Sequence, residues 1–384
     1  MIHITDKTQC CGCGACEQIC PKHCIKMIVD EEGFWYPKVN ETECTKCGLC
    51  ERVCPVLNAK QINCNDVSKI HTYLAYSTDT DLRMKSSSGG MFTLLAEQVL
   101  SEGGVVFGAA FDEKFLVHHI KVEDRDGLSA LRGSKYLQSR IEHCYRETKE
   151  ELLAGRKVLF TGTACQIAGL YGYLGKDHEN LITVDVLCHG VPSPAVWRRY
   201  LDEQEALYGA AVRRTFFRSK NSGWKTYALL LEFSNNKAYE SILSKDRFMQ
   251  MFLRNICLRP SCHNCKFKGM DRPSDISIGD AWGVEKHSPE MDDNRGTSVV
   301  LLHTSKGIQL FDKLRADLIC KVRDLDTALP PRSDSRKSVT PHYNRKKFFQ
   351  KFTRGFPTTK LVKLTNPTLL RRVLRKGKRI VKKI

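Results

Sequence analysis

The feature that most constrains this chain is a repeat of cysteines near its start. Cys10-x2-Cys13-x2-Cys16-x3-Cys20-Pro21 recurs, shifted by 34 residues, as Cys44-x2-Cys47-x2-Cys50-x3-Cys54-Pro55. This is the spacing with which bacterial two-cluster ferredoxins hold a pair of 4Fe–4S cubanes. Three thiolates two residues apart wrap one cubane only if the loop between them is tight, and Gly12, Gly14 and Gly48 permit such turns. The fourth Cys of each run, set off by three residues and followed by proline, is directed at the other cubane. One cluster is therefore expected on Cys10, Cys13, Cys16 and Cys54, and the second on Cys44, Cys47, Cys50 and Cys20. Structural zinc sites pair their thiols as C-x2-C and need neither the third Cys nor the proline. Cys11 and Cys24 fall outside the pattern and read as small buried residues.

The 384 residues contain 18 cysteines. Met1-Ile2-His3-Ile4 opens the chain with neither a basic region nor an apolar one of the secretory type. No apolar run approaches the roughly 18 residues that span a bilayer. The expectation is a cytoplasmic chain whose thiols bind metal rather than form disulfides. The net charge of +18 is concentrated: residues 331–384 hold 18 of the 61 Lys and Arg and one of the 43 acids. A body so close to neutral argues against a nucleic-acid-binding core.

Four segments follow. Residues 1–58 form the two-cluster ferredoxin-like α+β domain, with Gly33-Phe34-Trp35-Tyr36-Pro37 as a short aromatic strand, and 59–69 form a polar linker. Residues 70–330 alternate apolar strands with amphipathic helices, which predicts an α/β domain with a largely parallel or mixed sheet. Its predicted strands include 105–111, 117–122, 158–161, 182–187, 227–233 and 298–302; its predicted helices include 90–102, 140–154, 166–174, 195–207, 247–255 and 308–317. Residues 331–384 form a basic helical tail.

Within the α/β domain, the strand ending at Thr161 runs into Gly162-Thr163-Ala164-Cys165, and the strand ending at Leu187 into Cys188-His189-Gly190. Both thiols thus fall at the carboxyl ends of strands, where open α/β sheets build their sites. Cys262-x2-Cys265 supplies two more, enough for a third cubane, although Cys257-x4-Cys262-x2-Cys265 is a competing plant-type ferredoxin spacing. A single zinc on four of these five is the other alternative. Ser86-Ser87-Ser88-Gly89-Gly90 opens a helix with free N–H groups suited to phosphate oxygens, and also reads as a simple cap. Gly133-Ser134-Lys135-Tyr136 puts a cation and an aromatic ring on a flexible turn.

Ser87-Ser88-Gly89-Gly90, Gly133-Ser134-Lys135-Tyr136, Thr161-Gly162-Thr163-Ala164-Cys165-Gln166, Cys188-His189-Gly190-Val191-Pro192-Ser193, Leu258-Arg259-Pro260-Ser261-Cys262-x2-Cys265 and Asp275-x3-Gly279-Asp280-x-Trp282-Gly283 occur in that order. Together they resemble the coenzyme F-420 hydrogenase/dehydrogenase beta-subunit family with an N-terminal ferredoxin domain, over roughly residues 1–325. Ala164 departs from the proline that relatives carry before the Cys. The resemblance implies an FAD-dependent iron–sulfur oxidoreductase that takes electrons from a ferredoxin or a partner oxidoreductase subunit and passes them to an organic acceptor, deazaflavin-type or other. It maps a third 4Fe–4S cluster onto Cys165, Cys188, Cys262 and Cys265. FAD contacts map onto Ser88, Gly89 and Gly90 and onto Gly133, Ser134, Lys135 and Tyr136. A flavin converts between single-electron and hydride chemistry, which suits it to sit between cubanes and such an acceptor. His189, beside the third cluster, is a candidate proton donor. A flavin-free relay carrying only clusters is the alternative.

In the tail, Asn366-Pro367 reads as a helix start, and Leu369, Leu370, Val373, Leu374, Ile380, Val381 and Ile384 fall on one stripe opposite Arg and Lys. Such a helix suits an anionic membrane surface, so residues 331–384 could hold the protein peripherally at the inner membrane face, with Arg345–Phe352 as a second contact. Packing on the protein's own body, docking of an acidic electron-transfer partner and a disordered basic tail are the alternatives.

Overall fold

The computed structural model describes residues 1–59, 62 and 65–366. The cysteine repeat folds as two matching loops. In each, the third Cys lies on a one-turn helix, Ala15–Gln18 and Leu49–Arg52, that starts after a left-handed glycine, Gly14 (φ 75°) and Gly48 (φ 76°). A side chain at either glycine would strain the turn that brings three thiols round one point. Between the loops, β1 (Ile25–Val29) and β2 (Trp35–Val39) pair as an antiparallel hairpin with Ile25 opposite Val39. Cys16, Cys20, Cys24 and Cys50 share a small core with Ile2 and Ile25. Phe34 and Tyr36 instead belong to the core of the larger body.

That body is built on a mixed sheet. Its strands are β3 (His71–Ser77), β4 (Val105–Phe111), β5 (Val117–Val122), β6 (Ser139–Arg140), β7 (Val158–Thr163) and β8 (Leu181–Val186). A separate three-stranded antiparallel sheet follows, β9 (Val212–Ser219), β10 (Ala228–Phe233) and β11 (Ala238–Ile242), before the chain returns with β12 (Ile276–Asp280), β13 (Ser298–Leu302) and β14 (Leu318–Val322). The large sheet is ordered β14-β3-β13-β12-β8-β7-β4-β5-β6, nine strands among the described residues. Its centre, β12-β8-β7-β4, is parallel, whereas β3, β13 and β14 pair antiparallel. The sheet is therefore mixed, as the alternating pattern predicts. Apolar side chains of β4, β7, β8 and β13 are buried on both faces, as expected of strands covered by helices on each side.

The helices that matter for the site are α1 (Met91–Ser101), α2 (Cys144–Leu153), α3 (Ala164–Leu174), α4 (Pro194–Tyr208), α5 (Arg247–Leu253) and α6 (Ser305–Asp312). Two depart from the predicted spans. The helix expected from residue 140 starts at Cys144, because Arg140 is taken by β6; the helix expected over 308–317 stops at Asp312 and gives way to a 3-10 turn.

The described part of the tail is not a free basic arm. Helix α7 (Arg345–Thr353) buries Phe348, Phe349 and Phe352 in the same core as Trp197 and Phe217. Arg345 pairs with Glu32 (Nη1–Oε1 3.0 Å, Nη2–Oε2 2.5 Å) and donates to the Leu258 carbonyl at 2.8 Å. Burial of three phenylalanines, worth about 1.5–3 kcal/mol each, removes the apolar face that the sequence offers as a second membrane contact. The predicted amphipathic helix after Asn366 lies outside the described residues. No described helix is long and apolar enough to cross a membrane.

Candidate functional site

β7 and β8 run parallel, so their carboxyl ends open on the same edge of the sheet. At the end of β7, Thr163 caps α3: its backbone N–H donates to Gln166 Oε1 at 2.9 Å, and its hydroxyl lies 3.2 Å from Cys165 Sγ. Just past β8, the Cys188–Ser193 loop pairs with the loop before Cys262. Ser193 N donates to Cys257 O and Arg259 N to Val191 O, each at 2.9 Å, and Pro192 bridges Leu258. The approach depends on Gly190 (φ 148°), where a Cβ would lie 3.0 Å from Leu258 Cδ1 and 3.3 Å from Cys262 Cβ. This pairing carries Cys262 and Cys265 to the mouth of the strands.

Cys165, Cys188, Cys262 and Cys265 consequently line one cavity. Burial, then the like charge of Cys188, Cys265 and Cys165, pushes the Cys262 thiol far up. Burial raises Cys188 and Cys265 to about 11 each, and Cys165 is among the neighbours acting on both. Backbone N–H groups of Val191 and Phe267 point at the sulfurs of Cys262 and Cys265 at 3.4 Å. Cys257 does not join them; it is fully buried in the apolar core. The competing spacing through Cys257 is therefore not the one the fold gathers.

The N-terminal thiols lie close to one another within the domain, and Cys16 and Cys54 also feel Cys50. Cys13 and Cys16 interact with Cys54, and Cys54 and Cys16 with Cys10. Cys20, Cys44, Cys47 and Cys50 line a small cavity, where Ile2 N donates to Cys50 Sγ at 3.2 Å and Lys46 N to Cys44 Sγ at 3.4 Å. Cys24 lies 3.3 Å from Cys20, sulfur to sulfur. Among the described residues no three His, Cys, Asp or Glu side chains close on a point that seats a single metal ion. Thiols that ring a space and accept N–H donors suit a cubane, whose sulfurs and ligands take such bonds.

The strand-end thiols open on a cavity of about 680 Å³, within the range of cofactor sites. Ser88 and Gly90 line it, as do Gly133, Ser134, Lys135 and Tyr136. The two loops touch: Ser134 N donates to Ser87 Oγ at 2.7 Å. Gly89 is not on the wall, because it packs on strand backbone, where a Cβ would meet Ala75 O at 2.4 Å. Tyr136 turns its ring onto Phe252, 4.8 Å between centroids, and accepts from Arg218 Nη1 at 3.1 Å. Lys135 Nζ donates to the carbonyls of Leu131, Arg132 and Gly133 at 3.1–3.3 Å, and burial pushes its amine down to about 7. His189 also lines the cavity; its Nε2 lies 2.7 Å from Asn255 Oδ1 and its Nδ1 3.6 Å from Asp334.

Three elements of the site carry no clear sequence signal. Cys11, read as surplus, lines the cavity, and its thiol is pushed up by its neighbour Cys13, by burial and by Cys10. Asp185 and Arg272 form an ion pair with both side chains buried. Ser333, Asp334 and Ser335, from the tail, close one side of the cavity.

Fold and thiols together define an iron–sulfur protein, a dicluster domain joined to an α/β body with its own site. Residues 9–58 match the 4Fe-4S dicluster domain. Residues 72–146 match the N-terminal part, and residues 155–328 the C-terminal part, of the coenzyme F420 hydrogenase/dehydrogenase beta subunit. The chain belongs to that family and is an iron–sulfur electron-transfer member of it. No curated protein matches this chain. Among solved structures, a chain of the xenon-derivatised F420-reducing NiFe hydrogenase complex from Methanosarcina barkeri is 19% identical, with 77% of this chain and 95% of that chain covered and a TM-score of 0.48.

Proposed function

We propose that this chain is the flavin-bearing reductase subunit of an iron–sulfur oxidoreductase. In this reading Cys10, Cys13, Cys16 and Cys54 hold one 4Fe–4S cluster and Cys20, Cys44, Cys47 and Cys50 a second. Cys165, Cys188, Cys262 and Cys265 hold a third, and FAD fills the rest of the cavity. The observation that carries it is the shared cavity: four thiols from three stretches of chain open on the same space as the two Ser/Gly loops. When bound, clusters supply single-electron transfer and a flavin links it to hydride transfer to an organic acceptor. The donor is a reduced ferredoxin or a partner subunit, and the beta-subunit family supports a partner.

The chain's own residues have definite tasks. Ser88, Gly90 and the N–H groups at the start of α1 face an anionic group, as helix starts do. Lys135, whose amine meets only backbone carbonyls among the described residues, supplies a counter-charge to such a group when protonated. His189 Nε2–H donates to Asn255, which fixes the ring and leaves Nδ1 to hold a proton at the cavity wall. The visible spectrum of anaerobically purified protein tests the reading: acid must release a flavin. Clusters without flavin would replace it with a relay.

A further inference from the structure

Among the described residues four arginine side chains are buried: Arg83, Arg218, Arg259 and Arg272. Three are paired with carboxylates, Arg83 with Asp293, Arg218 with Asp280 and Arg272 with Asp185. Arg259 is fully buried and has no carboxylate at ion-pairing distance among the described residues. Its Nε donates to Cys10 O at 2.9 Å, Nη1 to Gln138 Oε1 at 2.9 Å, and Nη2 to Trp35 O at 3.0 Å and Cys10 Sγ at 3.5 Å. Tyr36 offers the face of its ring at 4.1 Å. A guanidinium stays charged at any working pH, and an unpaired buried charge is strongly unfavourable. Something anionic is therefore expected beside it.

The surroundings of Arg259 name that anion. The side chains acting on it include Cys10, Cys11 and Cys262, and it acts in turn on Cys165. It thus stands at the seam between the thiols of the first ferredoxin cluster and those at the strand ends. Cys11 interacts electrostatically with a member of each set, Cys13 and Cys165. Helix α3, which carries Cys165 in its first turn, packs so closely on Cys13 that a Cβ at Gly169 would lie 3.0 Å from its sulfur. A cubane with four thiolates is net negative, and more so when reduced.

We propose that Arg259 is the buried counter-charge shared by the cluster on Cys10, Cys13, Cys16 and Cys54 and the cluster on Cys165, Cys188, Cys262 and Cys265, and that it holds both at higher potential. A fixed cation favours the reduced, more negative state, so it draws an electron inward towards the cavity. This rests on the proposed third cluster for the second half of the claim; the first half concerns the dicluster domain alone.

Gln138 provides the cleanest test. Gln138→Glu keeps the size and the acceptor for Nη1, and places a carboxylate on Arg259 without removing it. The full-length protein, purified anaerobically, is titrated with dithionite and followed by electron paramagnetic resonance, with iron counted in parallel. The expected result is unchanged iron and a midpoint moved to more negative potential for the cluster on Cys10, with the strand-end cluster moving the same way. Arg259→Lys, which keeps the charge, should stay closer to wild type than Gln138→Glu does. Wild-type midpoints in Gln138→Glu would overturn the proposal, as would a larger shift in Arg259→Lys. Wild-type iron at about eight per chain rather than about twelve would refute the third cluster while leaving the prediction for Cys10 standing.

Discussion

Asp185→Asn should separate the strand-end site from the ferredoxin domain. Asp185 is 0% and Arg272 1% exposed. Besides the ion pair, Asp185 Oδ1 accepts from Ser274 Oγ at 3.0 Å. In the variant Arg272 keeps the carbonyls of Ser335 at 3.2 Å and Val186 at 3.4 Å but loses its carboxylate. Breaking one partner of a buried pair costs about 3–5 kcal/mol, because the other charge is left uncompensated. Asn retains a neutral acceptor, which puts the expected loss near 3 kcal/mol. Asp185 stands three residues before Cys188, and Arg272 seven after Cys265, so strand-end iron should fall with stability while ferredoxin iron remains. Urea denaturation of the anaerobic protein, with iron analysis, reads both. Asp185→Asn with Arg272→Met removes the pair without leaving a charge and should recover most of the loss. A single variant within roughly 0.5 kcal/mol of wild type, or a double variant no better than the single, would refute the reasoning.

Other outcomes follow from the same geometry. Cys188→Ala should lose about four iron per chain, whereas Cys257→Ala should lose none; equal losses by metal analysis would reopen the competing ligand set. Lys135 is protonated in the empty site only below about 7, and an anionic flavin binds the protonated form. FAD affinity should therefore fall as pH rises above about 7, by at most about tenfold per unit, and Lys135→Met should flatten that dependence in an equilibrium titration. Phe348→Ala should destabilise the protein by about 3–5 kcal/mol, because Phe348 is fully buried; an unchanged urea midpoint would mean that α7 is not docked.

Much of the site is local in sequence and so could be read there. The two cysteine runs fix their own loops, and a thiol directly after a strand lies at the strand's end whatever the rest of the fold does. Choosing Cys188 over Cys257 needs a non-local fact, the pairing of Pro192 with Leu258, which no spacing contains. The tail misleads for a physical reason. Phe348, Phe349 and Phe352 make an apolar stripe that serves a membrane or a core equally well, and only the body's aromatic cluster decides for the core. Gly89 reads as a phosphate-loop glycine, yet its small size serves backbone packing. The roles of Asp185, Arg259 and Arg272 are invisible beforehand because single charges carry no periodicity, and their side-chain partners lie 87 or more residues away.

The central claim is that one cavity at the carboxyl edge of the sheet holds a third cluster and a flavin. The most direct measurement is the cofactor content of the intact chain purified without oxygen: iron, acid-labile sulfide and acid-released flavin per polypeptide. The account predicts about twelve iron, about twelve sulfide and about one FAD. About eight iron and no flavin would contradict it, leaving a two-cluster ferredoxin attached to a body whose cavity has another purpose.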